Sequence, residues 1–317
     1  MSDSRFSFHS ISVPGVSRVE IALPIDSADP VVAAYRNGQA LNGYLTEWLR
    51  RFTRSDDFVL DLGCHVGTLS IPATALGRRV FAVDASMLHV EAVRLAAVRN
   101  GFDDLRIERC AIAASDGELA FLENGLWGRV MPGEAAKDGS QWVPARRADS
   151  LLLECGWERV DFVKIDIEGS ELAAIESLGR YLDAERAPVI VYESNGMTFE
   201  LFGYTIGHIR ERLEALGYET YRFEPEGLVY CPPHELQPEA WLDVVALPAR
   251  WRRGEAPLMR TWARGAMVER CLTWGGNEHR NVRQYLHRAL SADRSSLGDD
   301  AQIARLRTRL ADEFGTL

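Results

Sequence analysis

Cysteine is scarce and scattered in this chain: Cys64, Cys110, Cys155, Cys231 and Cys271 form an odd set with no C-x-x-C pair. That spacing argues against a zinc ribbon and a disulfide framework, and it fits a reducing compartment. A surplus of positive charge is missing as well. With 36 Lys and Arg against 46 Asp and Glu the formal net charge is −10, so no overall positive field draws the protein to a phosphate backbone or an anionic membrane. No segment approaches the ~18 uninterrupted apolar residues of a membrane span, and the opening MSDSRFSFHS has neither the basic stretch nor the apolar run of an export signal. The expectation is a cytoplasmic protein with no nucleic-acid and no membrane partner. Hydrophobic residues are not lacking: at 46% of 317 positions they suffice for one large core or two modest ones.

Three regions differ in texture. Residues 1–55 read as an N-terminal cap: Pro14, Pro24 and Pro30 break up the first thirty residues, then Tyr35, Leu41, Leu45, Trp48, Leu49 and Phe52 carry helical spacing between Val31 and Phe52. Residues 56–248 alternate short β-branched runs (FVLDLG, VFAVDA, LRIERCAI, VDFVKIDIEG, APVIVYES) with helical stretches. That alternation predicts an α/β domain with a mostly parallel sheet and helices on both faces. Within it ELAFLE, at 118–123, reads as a short strand, and Asn124 to Arg147, carrying Trp127 and Trp142, as an irregular loop over the working edge. Helices are expected from Ser170 to about Leu182 and from His208 to Leu216, and a last strand at Asp243 to Leu247. Residues 249–317 form a mainly helical extension with thirteen arginines against eight acids and with Trp251, Trp262 and Trp274 spread through it. Its end places Ile303, Leu306, Leu310 and Phe314 on one stripe, an apolar surface suited to pairing with a second copy or to packing as an added layer.

Chemistry gathers at two strand ends. In VLDLGCHVG an apolar strand ends on Asp61 and turns through Gly63, Cys64, His65 and Gly67 into a helix. Glycine permits the backbone angles of such a turn, whose N–H groups face a ligand. Asp61 is placed to meet a ligand ammonium. The next strand ends on Asp84 and Ala85, where an acid accepts hydrogen bonds from ribose hydroxyls, and the third brings Cys110, Ala111 and Ile112 to the neighbouring edge, beside an adenine. A glycine turn with a downstream acid also occurs in NAD-binding domains, yet the spacing here is D-x-G-x-x-x-G, without the third glycine of G-x-G-x-x-G. The second cluster, KIDIEGSE, sets Lys164, Asp166, Glu168 and Glu171 within eight positions. Asp166 emerges at a carboxyl edge, with Glu193 on the next strand; Lys164 reads as a neutralising cation and Glu171 as an acid favoured by a helix N-terminus.

DLGCHVG and KIDIEGSE together resemble the FkbM family of methyltransferases, over a stretch from about Phe58 to Pro248 that includes ADSLL and VIVYES. The resemblance implies the Rossmann-like class I methyltransferase fold with a seven-stranded sheet, S-adenosyl-L-methionine as donor, and O-methylation of a hydroxyl on a sugar, glycan or natural product. By carry-over Asp61, Gly63, Gly67 and Asp84 belong to the donor site. Asp84 stands where the family more often has Glu, and His65 where it more often has Asn. Transfer to oxygen needs a proton acceptor or a divalent metal at the acceptor face: Asp166 is the first candidate for base or metal ligand, with Glu168 and Glu193 as supporting carboxylates. His208 and His234 read as surface residues. Two alternatives stay open, an NAD-dependent oxidoreductase and a non-catalytic nucleotide-binding module whose tail docks a partner.

Overall fold

The computed structural model describes residues 4–13, 15–38, 45, 46, 49, 53–131, 139–182, 187–224, 227–230, 242–248 and 308. The chain opens with β1 (Phe6–Val13) and β2 (Val16–Pro24), then α1 (Pro30–Arg36), β3 (Phe58–Leu62), α2 (Ser70–Ala75), β4 (Arg79–Asp84), α3 (Met87–Asn100) and β5 (Leu105–Arg109). Four strands follow, β6 (Ala111–Ile112), β7 (Gly117–Leu122), β8 (Arg129–Val130) and β9 (Ser140–Arg146), and then α4 (Ala148–Glu154), β10 (Phe162–Ile165) and α5 (Glu171–Ser177). The order closes with β11 (Val189–Ser194), α6 (Gly196–Leu201), α7 (Ile206–Ala215), β12 (Tyr218–Glu224), β13 (Gly227–Tyr230) and β14 (Leu242–Pro248).

The main sheet runs β13-β12-β14-β11-β10-β3-β4-β5. Its five strands from β11 to β5 are parallel, β14 is inserted antiparallel between β11 and β12, and β13 pairs antiparallel with the outer side of β12. Seven strands are expected; the described sheet has eight, β13 lying at the edge in antiparallel register with β12. Strands such as FVLDL and FVKI are apolar almost throughout because helices cover both faces of the sheet. One core packs Leu69, Ile71, Val93 and Ala96 against Val59, Val80 and Phe162; the other packs Leu151, Leu152, Ile175 and Leu213 against Leu60, Val163 and Ile190. α3 shows how local chemistry sets an element: Ser86 caps its start through the His89 N–H, and Gly101, at φ +70°, ends it in the left-handed conformation.

After β3 the chain moves outward to β4 and β5, then returns to lay β10 on the opposite side of β3. The carboxyl ends of β3 and β10 therefore flank a topological switch point, where open α/β sheets bind ligands.

Three segments differ from the sequence-based expectation. Among the described residues the N-terminal cap is not mainly helical: Phe6–Val13 and Val16–Pro24 form the antiparallel β1–β2 pair, which packs on α3 through β2, and α1 covers Pro30–Arg36. FSFHSISV and VSRVEIALP alternate apolar with polar positions, the period of a half-buried strand. Leu45 and Leu49 are buried in the core with Val13 and Val19, so this segment shares the core of the main domain. The stretch from Asn124 to Arg147 is not wholly irregular either. β8 and β9 join β6 and β7 in a second sheet of order β6-β9-β7-β8. The helix expected from Ser170 to about Leu182 is split, α5 ending at Ser177 and a 3₁₀ turn covering Gly179–Leu182. The predicted C-terminal extension, its tryptophans and its terminal stripe lie outside the described residues apart from Thr308, as do Trp48, Phe52, His234, Cys231 and Cys271. Among the described residues no helix is long and apolar enough to cross a membrane.

Candidate active site

Where β3 and β10 run side by side, Asp61 pairs with Lys164 in register. The Lys164 ammonium donates to Asp166 Oδ2 at 3.0 Å and to the Gly63 carbonyl at 3.3 Å, and lies 3.9 Å from Asp61 Oδ1. Burial works against that charge, but Asp166 and Asp61 outweigh it and raise the Lys164 pKa. Gly63 sits at φ +78°, and a β-carbon there would fall 1.7 Å from the Asp166 carbonyl oxygen. Only glycine lets the β3 turn lie against the end of β10.

Asp61 does not reach the crevice. It is 0% exposed, accepts a hydrogen bond from Ser70 Oγ at 2.5 Å, and stands behind the Gly63 turn. Burial raises its pKa against the pull of Lys164 and Ser70. The direct ammonium contact expected of it is therefore blocked by its own enclosure. Cys64 and Gly67 are likewise away from the lining. Burial pushes the Cys64 thiol up, and Gly67 serves packing, since a β-carbon there would lie 2.9 Å from Ile71 and 3.1 Å from Val93. The residues expected at the site that do line the crevice are Gly63, His65, Asp84, Ala85, Cys110, Ala111, Ile112, Asp166 and Glu168.

At the carboxyl ends of β10 and β11 Asp166, Glu168 and Glu193 each offer a carboxylate oxygen, all three within 4.8 Å of one another. The pairing of Ile165 with Tyr192 places the residues that follow, Asp166 and Glu193, side by side. Glu168 joins them from the turn before α5, in the left-handed conformation at φ +54°. Burial, then the charges of Asp166 and Glu171, push Glu168 up to about 8, and burial with the same neighbours raises Glu193 well above the ordinary carboxyl value. Glu193 Oε2 is enclosed with no hydrogen-bond partner. Asp166 is the open member, its side chain 34% exposed. Glu171, by contrast, is wholly buried and turns its carboxylate back onto the Ile167 and Gly169 N–H groups at 3.1 and 2.9 Å, so it organises the turn. His208 is exposed and caps α7 with Thr205.

At the other end Asp84 is held by three donors: the His65 N–H at 2.8 Å, the Ser86 N–H at 2.8 Å and His89 Nδ1 at 3.3 Å. Burial opposes its charge, but His89 and the two N–H groups outweigh burial and lower its pKa; Asp84 in turn holds the His89 pKa up against burial. His65 lies at φ +51°, its ring 4.2 Å from that of His89, and its Nε2 reaches Asp29 Oδ2 at 3.0 Å. Asp29 is the N-cap of α1, so a residue of the N-terminal segment braces the glycine turn. Ala111, Ile112, Phe121 and Val130 supply an apolar wall beside Asp84. Asp29, His89 and Arg129 were not picked out in the sequence. Asp29 before Pro30 carries a helix-start signal, but nothing local to it indicates what its second carboxylate oxygen meets.

A methyl-transfer site is what such a crevice resembles, and the comparison with known families decides it: residues 87–220 match the model described as Methyltransferase FkbM domain. Over those 134 of its 317 residues the chain is similar to the FkbM methyltransferase domain. It is an S-adenosylmethionine-dependent methyltransferase, and the matched residues include Asp166, Glu168 and Glu193, while the DLGCHVG turn lies before them. No curated protein matches the chain in sequence. Solved structures resemble the chain only distantly. A precorrin-6y C5,15-methyltransferase from Geobacter metallireducens is 15% identical, with a TM-score of 0.38 over 66% of this chain and 88% of that one. A ribosomal protein L11 methylase from Lactobacillus delbrueckii subsp. bulgaricus is 14% identical, with a TM-score of 0.39 over 76% and 98%. The M. jannaschii TYW2 in complex with AdoMet is 12% identical, with a TM-score of 0.39 over 78% and 86%.

Proposed function

We propose that this methyltransferase acts on a hydroxyl of a sugar, glycan or natural product, with Asp166, Glu168 and Glu193 at the acceptor face. The observation that carries this reading is the convergence of three carboxylates beside the crevice. Transfer to oxygen requires a hydroxyl to be aligned and to lose its proton, and these groups suit both tasks. Trp127, 40% exposed on the turn whose Gly125 and Gly128 line the crevice, offers an apolar ring to such an acceptor.

The donor's features have counterparts along the crevice. Asp84 stands at the ribose position with His65 and Ala85 beside it, and Ala111 with Ile112 and Phe121 forms a wall for the adenine. Bound S-adenosylmethionine supplies an electrophilic methyl group on a sulfonium centre. Gly63 leaves backbone open to the donor's amino-acid end. Asp61 supports the site indirectly through Lys164. Cys64 and Gly67 shape the turn from behind.

Asp166, the open carboxylate, aligns the acceptor hydroxyl and takes up the proton released, with Glu168 and Glu193 as supporting carboxylates. The acid cluster also fits a divalent cation: its donors are all oxygen, Glu193 Oε2 is unmet, and Lys164 is the close ammonium against them. Asp166, Glu168 and Glu193 would hold such an ion, which would lower the pKa of a hydroxyl bound to it. Residues 56–248 make up the catalytic unit in this reading, with 1–55 as its cap and 249–317 as an added segment. The test is transfer of labelled methyl from the donor to a panel of hydroxylated acceptors, with and without chelator. Asp166→Asn is expected to abolish transfer while product affinity survives; transfer at the wild-type rate would overturn the assignment.

A further inference from the structure

Charge in the crevice lining is lopsided. Asp84, Asp166 and Glu168 contribute carboxylates, and Arg129 is the single Lys or Arg among the lining residues. Its place is fixed by pairing and by crowding. In β8, Arg129 lies opposite Leu122 and Val130 opposite Phe121. The turn before it has no slack, since a β-carbon on Gly128 would lie 2.9 Å from the Phe121 ring and 3.2 Å from the Gly125 carbonyl oxygen. Arg129 Nε is closed to solvent and has no hydrogen-bond partner, and the guanidinium makes no hydrogen bond or ion pair among the described residues. Lys164 is different: Asp166 and Asp61 already hold it.

A fixed cation with an enclosed, unmet N–H is costly unless something brings it an acceptor. Glu168 is near enough to feel the Arg129 charge, yet no bond joins the two among the described residues. The partner must then arrive with the ligand. A guanidinium fork suits the paired oxygens of a carboxylate or phosphate.

We propose that Arg129 is the anion-recognition residue of the crevice, receiving an oxyanion of the bound small molecule through its guanidinium. The inference rests on the reading that donor and acceptor meet in this crevice. The oxyanion has two possible sources, the amino-acid carboxylate of the donor or an acidic group on the acceptor, and the two are separable. Calorimetry on the full chain compares S-adenosylhomocysteine with methylthioadenosine, which keeps the nucleoside and thioether but lacks the carboxylate. It is run with wild type, Arg129→Gln and Arg129→Lys, each checked for a wild-type melting profile. A donor source predicts at least tenfold weaker S-adenosylhomocysteine binding in Arg129→Gln, unchanged methylthioadenosine binding, and partial rescue in Arg129→Lys. An acceptor source predicts unchanged affinity for both nucleosides, while inorganic phosphate binds wild type and not Arg129→Gln.

Equal binding of both S-adenosylhomocysteine and phosphate by wild type and Arg129→Gln would overturn the proposal, as would parallel loss of both nucleosides. Failure of wild type to bind either nucleoside would instead sink the donor reading. The phosphate arm on nucleoside-free protein still judges Arg129 in that case: loss in Arg129→Gln supports it, and equal binding overturns it.

Discussion

Replacing Glu171 by glutamine tests whether this acid of KIDIEGSE is architectural. Its carboxylate is wholly buried, accepts the Ile167 and Gly169 N–H groups at 3.1 and 2.9 Å, and lies 3.3 Å from the Tyr204 hydroxyl. Burial pushes its pKa up from 4.5 to about 7, against the backbone N–H bonds that pull it down. The folded chain thus keeps a proton that the unfolded chain releases. The stability contributed by this group falls as pH climbs from about 4.5 to about 7 and is level above that. At ~1.4 kcal/mol per pKa unit the full loss is about 3 kcal/mol, of which roughly 2 to 3 kcal/mol falls between pH 5 and pH 8.

Glutamine has the same shape and does not titrate. Its oxygen accepts one of the two N–H groups while its amide faces the other, a cost of about 1–3 kcal/mol at every pH. Glu171→Gln is therefore expected to be less stable than wild type at pH 5, and to close or reverse that gap by pH 8. Denaturant unfolding of both proteins at the two pH values measures it, and other titrating groups cancel in the double difference. A gap that stays constant, or widens toward pH 8, would refute the reasoning.

Gly63→Ala forces a β-carbon to within 1.7 Å of the Asp166 carbonyl oxygen at a left-handed backbone position. The β3 turn and the end of β10 must separate, so S-adenosylhomocysteine affinity is expected to fall at least tenfold by calorimetry; wild-type affinity would contradict the close packing. The Asp84–His89 pair predicts a pH window. The raised His89 pKa gives stability that is full below about 6.5 and lost as pH rises through the raised value, and the lowered Asp84 pKa gives stability present above about 3.8 and lost as pH falls. His89→Asn should therefore cost most stability between about pH 4 and 6.5 and progressively less toward pH 8, as read by denaturant midpoints.

The sequence by itself determined the alternation of strands and helices, the glycine turn at 63–67 and the acids at the ends of β4, β10 and β11, because apolar period and turn chemistry are local properties. It also carried the N-terminal hairpin, in the two-residue alternation of FSFHSISV, although the prolines and the later helical spacing obscured it. Tertiary structure decided depth and convergence. Asp61 and Asp166 both end strands that meet at one switch point, yet one is sealed beneath Ser70 and Lys164 while the other opens to the crevice. Asp29, His65, His89 and Arg129 come from four separate segments and meet around one crevice only through packing of α1, the β3 turn, α3 and β8. Burial, and with it each proton affinity, depends on which neighbours exclude water, and those neighbours are set by the fold and not by spacing along the chain.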